Sequence, residues 1–156
     1  MSDKISKGER MVLISGAALF ILSFIKPWAK LDLGGAGKLL GGISASFSAW
    51  DYGFFPLKLA LILSLIGVGL VIAKLAGASP NVPPTTHAAL GGLTLVLILL
   101  QVLIGPPDAG IVDVVDRGIM LFIALIPAAA QAYGGYLVLQ EAGEAGMKAT
   151  PPPPAV

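Results

Sequence analysis

The sequence predicts an all-α membrane protein: a four-transmembrane-helix bundle with a small extracellular β-hairpin between helices 1 and 2. Composition, hydropathy and the spacing of apolar runs point there together. Hydrophobic residues make up 56% of the 156 residues and charged residues only 12%, against about 25% charge in average soluble domains. Mean hydropathy is +0.87. Four separate runs of about 18 residues or more are each long enough to cross a bilayer core of about 30 Å at 1.5 Å per residue. Soluble helices show a polar face, and these runs do not.

The first span, about 10–28, is interrupted only by Ser15, Ser23 and Lys26 and leaves the helix at Pro27. It follows a basic stretch (Lys4, Lys7, Arg10) but is followed by no small-x-small cleavage site, so a retained signal anchor is expected rather than a cleaved peptide. The second span, about 54–76, carries Lys58 and Lys74 near its ends, where both side chains can snorkel to the interface. The third, about 87–104, has Gln101 inside and stops at Gly105-Pro106-Pro107. The fourth, about 118–139, holds Pro127, which predicts a kink, and Gln131. None of the four runs carries a carboxylate.

The 29–53 loop is the longest connection. Ile43, Ala45, Phe47 and Ala49 alternate with Ser44, Ser46 and Ser48, which is strand periodicity. Leu31-Asp32-Leu33 can pair with them across a glycine-rich turn, with Trp28, Trp50, Tyr52 and Phe54 covering the apolar face at headgroup level. In the third loop Ile111, Val112, Val114 and Val115 interleave with Asp113 and Asp116 at a spacing read as a short interfacial helical turn. The 77–86 connection is proline-rich and short, so spans two and three form an antiparallel pair. Residues 1–9 form the cytoplasmic N-terminus, 10–141 the transmembrane domain, and 142–156 a disordered proline-rich tail.

Four spans put both termini on one side. The basic residues divide evenly, with Lys4, Lys7, Arg10, Lys74 and Lys148 on that side and Lys26, Lys30, Lys38, Lys58 and Arg117 on the other. The first span usually dominates orientation, and its N-terminal flank is the basic one. The expectation is therefore a multi-pass protein of the plasma membrane with both termini cytoplasmic and the 29–53 loop outside.

Several function classes fall away. Cysteine is absent, which removes thiolate chemistry, iron–sulfur clusters and cysteine zinc sites. Net charge is +1, too balanced for a nucleic-acid binder. Gly34-Gly35-Ala36-Gly37-Lys38 invites a phosphate-loop reading, but the required earlier glycine is Asp32 and residue 39 is leucine. Asp108, Asp113 and Asp116 form an acidic trio better read as a solvated face with Asp116 capping the fourth helix, and His87 lies across the bilayer from them. No cofactor is expected. Gln101 and Gln131 are the polar residues left at membrane depth, as interhelical glue or as the lining of a polar path. Gly67, Gly69, Gly91, Gly92, Ala130 and Gly134 are candidate helix-packing positions, with Ala130 and Gly134 in small-xxx-small spacing.

Pro27-Trp28, followed by a Gly/Ser-rich loop closing on Ser48-Ala49-Trp50, resembles small four-span bacterial membrane proteins of unsettled function. The resemblance implies an integral plasma-membrane protein and no activity. The layout is also similar to that of claudins, by architectural analogy only, since the paired loop cysteines of that family are missing.

The reading that follows is a non-catalytic structural, assembly or accessory subunit. Its partners are the lipid bilayer and other membrane proteins or further copies of itself. Trp28, Phe47, Trp50 and Tyr52 are its candidate loop contacts. The alternative is an oligomeric small channel or transporter subunit with Gln101 and Gln131 lining the path.

Overall fold

A computed structural model describes residues 5–26, 28–31, 46–51, 54–78, 81–104 and 115–149. Ser6 starts the first helix. Its hydroxyl accepts the Glu9 backbone N–H at 3.2 Å, and the Glu9 carboxylate accepts the Ser6 N–H at 2.8 Å. This reciprocal cap satisfies two donors that a helix start leaves open. Helix α1 (Lys7–Phe24) ends as Ile25 turns extended, and the Trp28 indole N–H donates to the Leu22 carbonyl at 2.8 Å, one of the acceptors exposed at a helix end.

A distorted turn, Phe54–Lys58, leads into α2 (Leu59–Leu75). Gly77, at φ +89°, closes that helix. Its N–H donates to the Lys74 carbonyl and the Ala78 N–H to the Ala73 carbonyl, a left-handed stop that glycine takes without a Cβ clash. Helix α3 (Pro84–Ile104) begins with proline at its first position, where the missing N–H costs nothing. The last rod is α4 (Ile119–Ile123) and α5 (Leu125–Lys148), interrupted at Ala124. Pro127 has no N–H for the Ile123 carbonyl, so the expected kink falls one turn before the proline.

Among the described residues, three very short strands, β1 (Ala29–Leu31), β2 (Ser46–Phe47) and β3 (Val115–Arg117), form a strip in the order β2-β1-β3, antiparallel throughout. Ala29 stands opposite both Phe47 and Arg117. A self-contained β-hairpin between the first two helices is not supported. β1 is shared between β2 and a strand from the third loop, and the turn expected at Gly34 to Gly42 lies outside the described residues. The helical turn expected over 111–117 is also corrected. Residues 115–117 are extended, because the open edge of β1 supplies the hydrogen bonds a strand needs, while 111–114 lie outside the described residues. Asp116 sits in β3, and the cap of α4 is Gly118.

α1 packs on α2 and α5, and α3 packs on the same two, so the four long rods close a ring. The strip covers one end, and the start of α1 and the end of α5 meet at the other. Among the described residues, three helices are long and apolar enough to cross a membrane, Phe55–Leu75, Pro84–Ile104 and Ile119–Lys148. The chain is thus a helical, membrane-embedded protein. The expected fourth span does not meet that test, because the 18 residues of α1 include Lys7, Glu9 and Arg10. Residues 142–148, expected in the tail, are helical, since α5 runs to Lys148, and 150–156 lie outside the described residues. Ala142 and Ala145 favour helix, and Glu144 and Lys148 are spaced for an i,i+4 pair.

Close backbone contact sets the ring. A Cβ at Gly8 would stand 2.7 Å from the Gly134 carbonyl oxygen, and one at Gly134 would stand 3.0 Å from that of Gly8. On the neighbouring face of α5, Gly135 lies against the His87 carbonyl, and a Cβ at Gly91 would stand 2.7 Å from the Gln131 carbonyl oxygen. Gly67 is looser, with the Gln131 amide nitrogen 3.4 Å away. Gly69 and Gly92 were expected to pack, but a Cβ at either would meet nothing within 4 Å, because they project from the ring instead of into it. Gly135→Ala is expected to lower stability in mild detergent by about 1–3 kcal/mol through backbone displacement. Gly92→Ala should change it by less than about 1 kcal/mol. Thermal unfolding of the two variants side by side checks the assignment, and equal effects would contradict it.

Candidate functional site

The middle of the ring is closed by one polar contact. Gln131 on α5 is 1% exposed. Its Oε1 accepts the Ser64 hydroxyl at 2.8 Å and its Nε2 donates to the Ser64 carbonyl at 3.2 Å. Space for the amide comes from Gly16 and Gly67, where a Cβ would stand 3.2 Å and 3.4 Å from Nε2. Thr94, also buried, donates to the Ala60 carbonyl at 3.4 Å. Gln101, the other candidate path residue, is buried on α3 close to the strip end. The two glutamines are separated along the bundle. They sit on different helices, and Gln131 spends its amide on Ser64.

At the strip end the sequence-predicted contact residues separate. Trp28 was expected at the interface and is instead fully buried, in a core with Leu19, Leu57, Leu61, Ile98 and Leu121. The Gly118 N–H donates to its carbonyl at 2.7 Å, so both its indole and its backbone are committed to the fold. Trp50 is half-buried. Its indole N–H donates to the Ser23 hydroxyl at 2.9 Å, and its ring lies 5.9 Å from that of Phe24. Phe47 enters through its backbone in β2, and Tyr52 lies outside the described residues. Asp51 accepts the Ser48 N–H at 2.7 Å and the Ser48 hydroxyl at 2.9 Å. These two bonds hold its carboxyl below the ordinary carboxylate value.

The other end holds a polar chamber of about 330 Å³, walled by Glu9, Lys74, His87 and Glu141 among others. Each ring helix contributes one of these four side chains. Glu9 is 7% exposed at its side chain, and its Oε1 accepts the Lys74 ammonium, 47% exposed, at 2.6 Å. Lys74 therefore reaches inward to a carboxylate, where snorkelling to the interface was expected. The Oε2 of Glu9 is held by the helix cap. His87 is 7% exposed. Its Nδ1 and the Oε2 of Glu141 are buried with no protein hydrogen-bond partner among the described residues. Such groups are expensive to leave unbonded. A wall of this kind suits water or a small hydrogen-bonding solute. Among the described residues no three His, Cys, Asp or Glu side chains are placed to hold a metal ion.

The apolar runs alone hid this chamber, because Glu9 precedes the first run and His87 opens the third. Two signals were present. Ser6-x-x-Glu9 is a capping box, which fixes the start of a helix. An up-down ring then puts the start of α1, the end of α2, the start of α3 and the end of α5 at one level. Lys74→Met is expected to cost about 1–3 kcal/mol by leaving the Glu9 carboxylate buried without its cation, and Lys74→Arg should restore most of it. His87→Leu should hold or raise the unfolding temperature, because it removes a buried nitrogen that no described protein group bonds. A fall in that variant would mean that Nδ1 has a partner in the membrane-embedded protein.

A scan of protein-family models, a search of curated proteins and a search of solved structures each return no match to this chain.

Proposed function

We propose that the chain is a non-catalytic membrane subunit that assembles with itself or with a larger membrane complex. Its contact surfaces are the outward helix faces and the strip end. The observation that carries this reading is the closed centre of the ring. Gln131 is bonded twice to Ser64 and walled by glycines, which leaves no through-path at that level and makes the outer faces the main surface for contact. That outside is broad and apolar, with Ile14, Ile66, Ile72, Val96, Leu103 and Ile126 all exposed.

The same proposal takes α1 as a fourth span. The Glu9–Lys74 pair neutralises the one acidic charge of its first turn, and Lys7 and Arg10 are exposed where an interface would lie. Both termini then share one side, and the basic flank of α1 favours the cytoplasm for it, with the strip outside. The resemblance carried by Pro27-Trp28 and Ser48-Ala49-Trp50 favours a bacterial plasma membrane.

Affinity purification from native membranes in mild detergent, with a native mass estimate, tests the proposal. A defined larger complex or a stable homo-oligomer is expected. Trp50→Ala should reduce its recovery by about tenfold if Trp50 anchors the strip-end contact. A monodisperse single chain from wild type would overturn the proposal. A channel or transporter with Gln101 and Gln131 on its path makes the opposite demand: flux in liposomes, lost in Gln101→Leu and Gln131→Leu.

A further inference from the structure

Between α1 and the last rod, on the bilayer-facing side of the ring, runs a groove of about 560 Å³. Two small residues, Ala18 and Ala130, and the Pro127 ring line it. Its walls are apolar, with Ile14, Leu22 and Ile126 among them. Ser15 also borders it, but its hydroxyl is spent on the Met11 carbonyl at 2.6 Å. From Arg10 to Leu22 the groove follows α1 for about 18 Å at 1.5 Å per residue. That is close to the hydrocarbon depth of one leaflet, about 15 Å.

The charges of the first turn of α1 are sorted. Glu9 is turned inward to Lys74, whereas Lys7 and Arg10 border the groove at its headgroup end. Among the described residues no carboxylate lines it. A second copy of the chain fits poorly there. Copies in one membrane share an orientation, and a two-fold axis along the membrane normal would set the Lys7 and Arg10 of both at the same depth, face to face.

We propose that this groove binds an anionic glycerophospholipid, with one acyl chain along Ile14, Ala18 and Ala130 and the phosphate against Lys7 and Arg10. Basic side chains at this level attract anionic lipid, and the apolar channel adds chain contact that a bare surface lacks. The site does not depend on whether the chain assembles with a partner, so the purification outcome above leaves it standing or falling separately.

The test is native mass spectrometry of the full chain in mild detergent, titrated with phosphatidylglycerol or with phosphatidylcholine of the same acyl chains. Wild type is expected to retain phosphatidylglycerol at least about tenfold better. Lys7→Gln/Arg10→Gln should lose that preference and keep weak binding of both lipids. Ala18→Phe, which fills the groove, should lose both with its unfolding temperature retained. If Ala18→Phe fails to fold, the double variant decides, since it alters only exposed side chains. Equal retention of the two lipids by wild type would overturn the proposal. So would a preference that survives in the double variant, or copy-to-copy crosslinking of Ala18→Cys that phosphatidylglycerol does not reduce.

Discussion

Two adjacent glycines on α5 bring three backbones together. Gly134 meets α1 at Gly8, and Gly135 meets α3 at His87. Lipid tails are as apolar as leucine, so helices in a bilayer gain little by hiding hydrophobic surface from one another. What holds them is close contact, and contact at this range needs positions without a Cβ. The rest of the architecture follows. With α5 drawn against both neighbours, the starts of α1 and α3 are level with its far end, and the half-open polar chamber lies between them there. Farther along, the break at Ala124 and the Pro127 ring change the surface of the rod beside α1, and the lateral groove is the result.

The polar groups divide by the same geometry. Gln131 reaches past the glycines to bond Ser64, so the large amide at the centre ties two rods that are not neighbours in the ring. At the strip end Trp28 closes the core and its indole completes the end of α1. At the opposite end the sealing is ionic and incomplete, with Glu9 and Lys74 paired and His87 Nδ1 and Glu141 Oε2 facing cavity. Among the described residues, an indole closes the core at one end and an ion pair stands at the other.

Hydropathy made the long helices legible, and the proline chemistry made the far end of α3 and the kink before Pro127 legible, whereas the start of α3 lies three residues earlier than expected, at a proline that was read as loop. Rotation about each helix was not legible. A list of small residues marks positions able to pack but not the face they occupy, so Gly91 and Gly134 were found together with Gly69 and Gly92, which meet nothing. Gly8, Gly16 and Gly135 carry contacts that the spacing motif missed. Trp28 was read from its place after an apolar run, and that place is shared by interfacial anchors and by plugs. β3 was unreadable for a different reason. Its extended form depends on an edge supplied by β1, more than eighty residues earlier, and no local pattern encodes a partner at that distance. The chamber needed one more step, combining a cap motif with helix parity.

The ion pair between the ends of α1 and α2 also orders events in time. Glu9 is made early, and Lys74 lies 65 residues later in the chain. Until α2 has been made to its last turn, Glu9 has only the basic residues of its own turn, Lys7 and Arg10, as neighbours of opposite charge. The contact that fixes the start of α1 is therefore one between two helices, and a chain cut short before residue 74 would lack it.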